Sequence, residues 1–237
     1  IYFDIGANLG DSIERFKKIN KDSVIHSFEP TPELFDKIKE KYGFDKNLII
    51  NNIGVTDTKG KAEFYSYKYH RINSVVQVEK NSKFAKARVL SVKANKENFE
   101  NTIDISTTSI DIYCDENNIN EIDFIKIDIQ GGEEKCLQGM QKLLSKEKAS
   151  IIELELIIGF GYKKNFSFYD YEKHLNKHNY KLIALDSPGN VISYSNYQTN
   201  LLYVKSEIFE NIRELHEKNI AVSNVTNRTD ESNPHSY

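Results

Sequence analysis

Short apolar runs alternate with helical stretches along most of this chain. Ile1-Tyr2-Phe3-Asp4-Ile5 is a brief strand-like run, followed at once by Gly6-Ala7-Asn8-Leu9-Gly10. Asp11 stands where a helix cap is expected, ahead of Ile13, Phe16 and Ile19 on one face. Val24–Phe28 reads as a second strand, closed by Glu29-Pro30, and Thr31-Pro32 as a helix start. Leu34, Phe35, Ile38 and Tyr42 form that helix's apolar stripe, and Gly43 ends it. Leu48–Ile50 is a third strand, and Lys61–Tyr67 alternates like an antiparallel one. From about Tyr69 to Ile105 the chain is polar and weakly periodic, an expected irregular insertion over the active site. Regular order then resumes. Helices are expected at Ser109–Asn118, Glu133–Leu144 and Phe168–Lys177, and strands at Asp123–Ile127, Ser150–Leu156, Lys181–Leu185 and Leu201–Lys205. Ser187-Pro188-Gly189-Asn190 reads as a turn.

Strand, helix, strand, helix, strand is the order that builds a parallel sheet covered on both faces. Residues 1–205 are read as one domain with its insertion at about 61–105; residues 206–237 are read as a C-terminal helix and a polar tail expected to be disordered. A length of 237 residues suits one large domain. The chain opens inside a strand at Ile1, so residues upstream are expected in the native protein.

Charge narrows the partners. The formal net charge of -3 gives no global basic field, so no nucleic acid partner is expected. The apolar runs are too short to span a bilayer, and no signal peptide pattern opens the chain. Two cysteines, Cys114 and Cys136, make no disulfide framework; they read as inert packing, and a reducing cytoplasm is expected. The Asn-x-Ser/Thr triplets at Asn165, Asn224 and Asn227 read as chance.

The candidate chemistry begins at Gly6-Ala7-Asn8-Leu9-Gly10. Glycine permits positive backbone angles and a close ligand approach, and the helix start beyond offers N–H groups to a ligand. The loop is neither Gly-x-Gly-x-x-Gly nor a phosphate loop, which argues against a nicotinamide dinucleotide or a nucleoside triphosphate. Glu29 ends the second strand 19 positions after Gly10, where a carboxylate accepts hydrogen bonds from two ribose hydroxyls. An adenosine ligand without pyrophosphate fits, and S-adenosylmethionine is one.

Phe3-Asp4-Ile5-Gly6-Ala7-Asn8-Leu9-Gly10, Phe28-Glu29-Pro30 and Asp123-Phe124-Ile125-Lys126-Ile127-Asp128-Ile129-Gln130-Gly131-Gly132-Glu133 together resemble the FkbM family of S-adenosylmethionine-dependent methyltransferases. The resemblance runs from Ile1 to about Leu185, with Gly132 where alanine is more usual. It implies a Rossmann-like class I methyltransferase fold: α/β, three layers, doubly wound, with a mostly parallel sheet whose last strand is antiparallel. It also implies methylation of a hydroxyl on a sugar, glycan or small natural product. Asp4, Gly6, Ala7, Asn8 and Gly10 would then surround the methionine end of the cofactor, Glu29 and Pro30 the ribose, and Asn52 and Ile53 the adenine.

Lys126 and Asp128 alternate onto one strand face at the crevice end. Asp128 is aimed at the methyl donor or acceptor. Lys126 supports it, orients the hydroxyl, or forms a structural ion pair. Glu133 suits the first turn of a helix, with a site role as an equal alternative. Glu155, on the next strand, should face the crevice beside Asp128. The two carboxylates are candidate ligands of Mg2+, which would acidify the acceptor hydroxyl; alternatively, Asp128 is a general base without metal. His174 and His178 read as solvated surface. His70-Arg71 and Asn73-Ser74 read as a substrate-contact segment or plain loop, and the rings from Phe160 to Tyr171 as a sugar-stacking face or core. Alternatives to O-methyl transfer are RNA ribose 2'-O-methylation and an inactive S-adenosylmethionine-binding module.

Overall fold

The computed structural model describes residues 1–83, 85–86, 100–157, 162–164, 167–186 and 198–217. The Ser187–Asn190 turn, the rings of Phe160 and Phe166 and the polar tail lie outside these. In chain order the elements begin β1 (Tyr2–Ile5), α1 (Asp11–Ile19), β2 (Ile25–Phe28), α2 (Pro32–Tyr42), β3 (Leu48–Asn51), β4 (Gly54–Val55), β5 (Gly60–Tyr67) and β6 (Glu100–Thr108). They continue with α3 (Ile110–Glu116), β7 (Ile122–Ile127), α4 (Glu133–Gln138), α5 (Gln141–Ser145), β8 (Ala149–Ile157), α6 (Phe168–Leu175), β9 (Lys181–Asp186) and β10 (Gln198–Val204). Residues 206–217 are helical.

Seven strands form one sheet in the order β3-β2-β1-β7-β8-β10-β9. β3, β2, β1, β7 and β8 pair in parallel, and β10 runs antiparallel to both β8 and β9. This is the class I methyltransferase arrangement that the resemblance implies. Three layers follow from alternation along the strands. Phe3, Ile5, Ile125 and Ile127 pack with residues of α3 to α6 into the larger core, where Leu137, Tyr171 and Leu175 are buried. Ile13 and Phe16 of α1 and Ile38 of α2 pack with Ile25 on the opposite face, joined by Tyr2 and Phe124. Burying a side chain of this size contributes about 1.5–3 kcal/mol.

The chain passes from β1 outward to β3 and returns to β7 on the other side of β1. A crevice opens where the order reverses, above the carboxyl ends of β1 and β7.

Three local expectations change. The supposed irregular insertion holds much of a second sheet: β5 and β6 pair antiparallel from Gly60↔Thr107 to Tyr67↔Glu100, and β4 joins β6 in parallel. The polar residues of β6 disguise its β-branched Thr102, Ile103, Ile105 and Thr107. The expected helix Glu133–Leu144 is two helices, broken at Gly139, where a Cβ would stand 2.2 Å from the Thr56 carbonyl oxygen. Asp11 is not the cap of α1. That position belongs to Gly10, in left-handed geometry with φ of 85°.

Candidate active site

A cleft of about 270 Å³ occupies the crevice, and its lining includes Gly6, Asn8, Glu29, Asp128, Gln130 and Glu155. At one end stands Glu29, which β2 delivers to the cleft from its carboxyl end. Its Oε2 accepts from the Asn8 amide and its Oε1 from the Thr31 amide, each at 2.9 Å. Burial holds its carboxyl above the usual range, against the pull of those two amides. Pro30 lines the same end. An apolar slot beside it is lined by Phe28, Ile53, Val55, Phe64 and Ile105.

The glycine loop is closed on its own and the neighbouring main chain. The Gly6 and Ala7 amides both donate to the Phe28 carbonyl at 3.0 Å, and the Gly10 amide donates to Ala7. These groups shape the loop and are not offered to a ligand. Gly6 lies against the neighbouring strand end: with φ of +89°, a Cβ there would stand 1.9 Å from the Asp128 carbonyl oxygen. Gly10, by contrast, abuts Tyr42 and does not line the cleft. Ala7 is buried in the α1–α2 core.

Asp4 lies beneath the cleft rather than in it. It is fully buried, with neither oxygen in hydrogen-bonding geometry with a described group. Burial raises its pKa, and Lys126 opposes the rise. Asn52 turns its amide onto the Glu29 and Pro30 carbonyls, at 2.9 and 3.1 Å, and so braces the Glu29 end from behind.

At the other end, Asp128 follows β7. Its Oδ2 accepts from Lys126 Nζ and its Oδ1 from Gln130 Nε2, both at 3.0 Å. Burial opposes its ionisation, but the Lys126 ammonium and the Gln130 amide prevail and hold its pKa below the usual range. Lys126 is thus the ion-pair partner of Asp128 and does not line the cleft. Glu155, on β8, meets Gln130 Nε2 at 2.5 Å. Burial and the nearby Asp128 charge raise its pKa well above the usual range.

These donors do not fit a divalent cation. Asp128 is held by an ammonium, and one amide donates to both carboxyls. Among the described residues no three His, Cys, Asp or Glu side chains converge as a metal site. Glu133 is structural: its carboxylate accepts from the Ile129 and Gly131 amides at 3.0 and 2.8 Å, clamping the loop after β7. Burial raises its pKa to about 7.

His70-Arg71 and Asn73 are wall residues of the cleft. The His70 carbonyl accepts from Asn8 Nδ2 at 3.2 Å, Asn73 Nδ2 donates to Thr31 Oγ1 at 3.2 Å, and Ser74 Oγ donates to the Gln130 carbonyl at 2.6 Å. His174 is not solvated; its ring nitrogens are buried, with Nε2 3.9 Å from Glu134. Tyr171 is core, whereas Tyr162 reaches the site and donates to Gln130 Oε1 at 2.8 Å. Gln130 and Tyr162 carry no motif of their own. The signal for Gln130 was its place two residues beyond Asp128, ahead of Gly131. Cys114 and Cys136 are buried free thiols, Cys114 with its pKa pushed up to about 12 by burial.

The methyltransferase FkbM domain matches residues 4–182, and the chain belongs to that family. A curated relative, the 2-O-methyltransferase NoeI of Sinorhizobium fredii, is 24% identical over 156 residues, 62% of this chain and 60% of that protein. The match therefore spans less than two thirds of the relative's length. Among solved structures, the magnesium protoporphyrin IX methyltransferase ChlM of Synechocystis with bound S-adenosylmethionine aligns with TM-score 0.46 and 9% identity, covering 87% of this chain and 70% of that one. A fibrillarin/Nop5p complex aligns with TM-score 0.47 and 11% identity, covering 86% and 71%.

Proposed function

We propose that this protein is an S-adenosylmethionine-dependent O-methyltransferase acting on a hydroxyl of a sugar, glycan or small natural product. The observation that carries the reading is the cleft itself, which runs from the buried carboxyl of Glu29 to the ionised Asp128 across the switch point of the sheet. The family supports the cofactor, and the name of the 2-O-methyltransferase relative supports a hydroxyl acceptor. When bound, S-adenosylmethionine supplies a methyl group on a positively charged sulfur.

Glu29 has lone pairs left for the two ribose hydroxyls after accepting from Asn8 and Thr31. The apolar slot at Ile53 suits the adenine. Asp128 accepts the proton of the acceptor hydroxyl as general base. Lys126 keeps that carboxylate ionised until the proton arrives. The walls hold the reacting atoms in line. No described helix is long and apolar enough to cross a membrane. The free thiols support a cytoplasmic location as part of the same proposal.

Calorimetry with S-adenosylhomocysteine tests the reading. The intact protein should bind, and Glu29→Ala should lose about 1–3 kcal/mol of affinity, as buried ribose hydroxyls go unpaired. No binding by the intact protein ends the proposal.

A further inference from the structure

Gln130 is held on all sides. It has φ of 54°, a left-handed conformation that a non-glycine residue keeps only where the surroundings enforce it. The Ser74 hydroxyl holds its carbonyl. Its amide nitrogen donates to Asp128 Oδ1 and to Glu155 Oε2, and its amide oxygen accepts from Tyr162. A glutamine can present either end of its amide. The Asp128 carboxylate settles the choice, since it can only accept and so takes the nitrogen, which leaves the oxygen to the Tyr162 hydroxyl. Tyr162 is itself fixed. It bridges to Val78, the following Lys163 amide donates to the Gln77 carbonyl at 2.9 Å, and Lys164 pairs with Glu134 at 2.7 Å.

We infer that Gln130 and Tyr162 are positioning residues, which bind Asp128 and Glu155 into one unit holding a single shared proton and leave Asp128 as the member that takes the acceptor's proton. The last clause rests on the proposed function; the shared proton does not. The titratable groups around the pair are Lys126 on β7, Asp4 on β1, Glu133 on α4, Tyr162 after β8 and Tyr171 on α6. Asp4 and Glu133, when ionised, favour keeping the proton, and Lys126 opposes them. One amide nitrogen bridges the two carboxyls, which also meet each other directly, and the burial of Glu155 and the charge of Asp128 favour Glu155 as the proton's seat. In the transfer, Asp128 takes the hydroxyl proton as the acceptor oxygen forms its bond to carbon. The electron pair of the broken carbon–sulfur bond stays on sulfur, so a carboxylate and a sulfonium become a carboxylic acid and a thioether.

Carboxyl carbon NMR of the folded protein, labelled at aspartate and glutamate and free of cofactor, tests the unit. Asp128→Asn and Glu155→Gln assign the two signals. In the parent at neutral pH, Glu155 should be protonated and Asp128 ionised. Gln130→Met removes a charge-assisted donor and should tighten proton binding by the pair about tenfold or more. Tyr162→Phe frees the amide to turn and should shift it in the same direction by less. If Gln130→Met fails to fold, Tyr162→Phe, which lacks one hydroxyl, carries the test. A folded variant that titrates like the parent overturns the inference, as does a parent in which both carboxyls are ionised at neutral pH. Loss of S-adenosylhomocysteine binding in calorimetry overturns the proposed function instead and leaves these titrations unchanged.

Discussion

The two ends of the cleft are built by different means. At the Glu29 end, a carboxylate is fixed by main-chain amides from Asn8 and Thr31, and a side-chain amide from Asn52 braces the strand end behind it. At the Asp128 end, side chains fix side chains: Lys126, Gln130, Glu155 and Tyr162 from a strand, a loop, a second strand and the segment beyond it. Main-chain anchoring makes the first end insensitive to most surface substitutions. The second end depends on four side chains being present together, and its protonation responds to each of them. The first suits a constant ligand; the second leaves room for acceptor chemistry to change by substitution alone.

The sharpest separation of the ends is Asp128→Asn. It should lower methyl transfer about 100- to 10,000-fold, measured with labelled S-adenosylmethionine on whichever acceptor the parent modifies, with S-adenosylhomocysteine affinity little changed. Equal losses in both would merge the two ends into one. Gly6→Ala should damage both ends together, because its Cβ would overlap the Asp128 carbonyl and its φ is +89°. Strain and overlap predict a loss of about 3 kcal/mol or more in urea unfolding; a variant as stable as the parent contradicts the close packing of loop on strand.

Glu133 gives a test by pH. Its folded pKa is raised from 4.5 to about 7, so the native state binds its proton more tightly than the unfolded chain. Its stabilising contribution is therefore full below about pH 4.5 and is lost as pH rises through about 7, a change of up to about 3 kcal/mol. The difference in urea midpoint between parent and Glu133→Gln should change with that sign; a flat difference refutes it. The smallest effect is expected at Gly10. Gly10→Ala should cost about 1–2 kcal/mol of stability through strain and the Tyr42 contact, while calorimetry finds its S-adenosylhomocysteine affinity unchanged. Weakened binding would return Gly10 to the ligand surface.

The same division decides what the sequence reveals. β1, its glycine loop and Glu29 are legible because each contact lies within one turn or between adjacent strand ends, so spacing carries the information. Asp128 and Glu155 are legible as crevice residues through strand alternation, and their partnership follows from the register of β7 on β8. Gln130 is not legible in role, because its contacts depend on a positive φ and on Tyr162, 32 residues away. The same holds for Asn52, whose amide turns back to carbonyls that proximity in sequence does not announce. The Mg2+ expectation finds no support among the described residues, and alternation alone could not supply it: it brings two acids together without saying which neighbouring cation or amide already holds them. Gly139 shows a similar limit: the helical pattern runs through it, but packing against Thr56 stops the helix there.

The wall formed by residues 70–74 has a mechanical consequence. Its bonds run to the glycine loop through Asn8, to the start of α2 through Thr31 and to the loop after β7 through Gln130, so it is fastened at both lips of the crevice. Three segments far apart in sequence are thereby tied together through one short piece of chain, so the shape of the crevice depends on residues that lie outside every motif of the sequence.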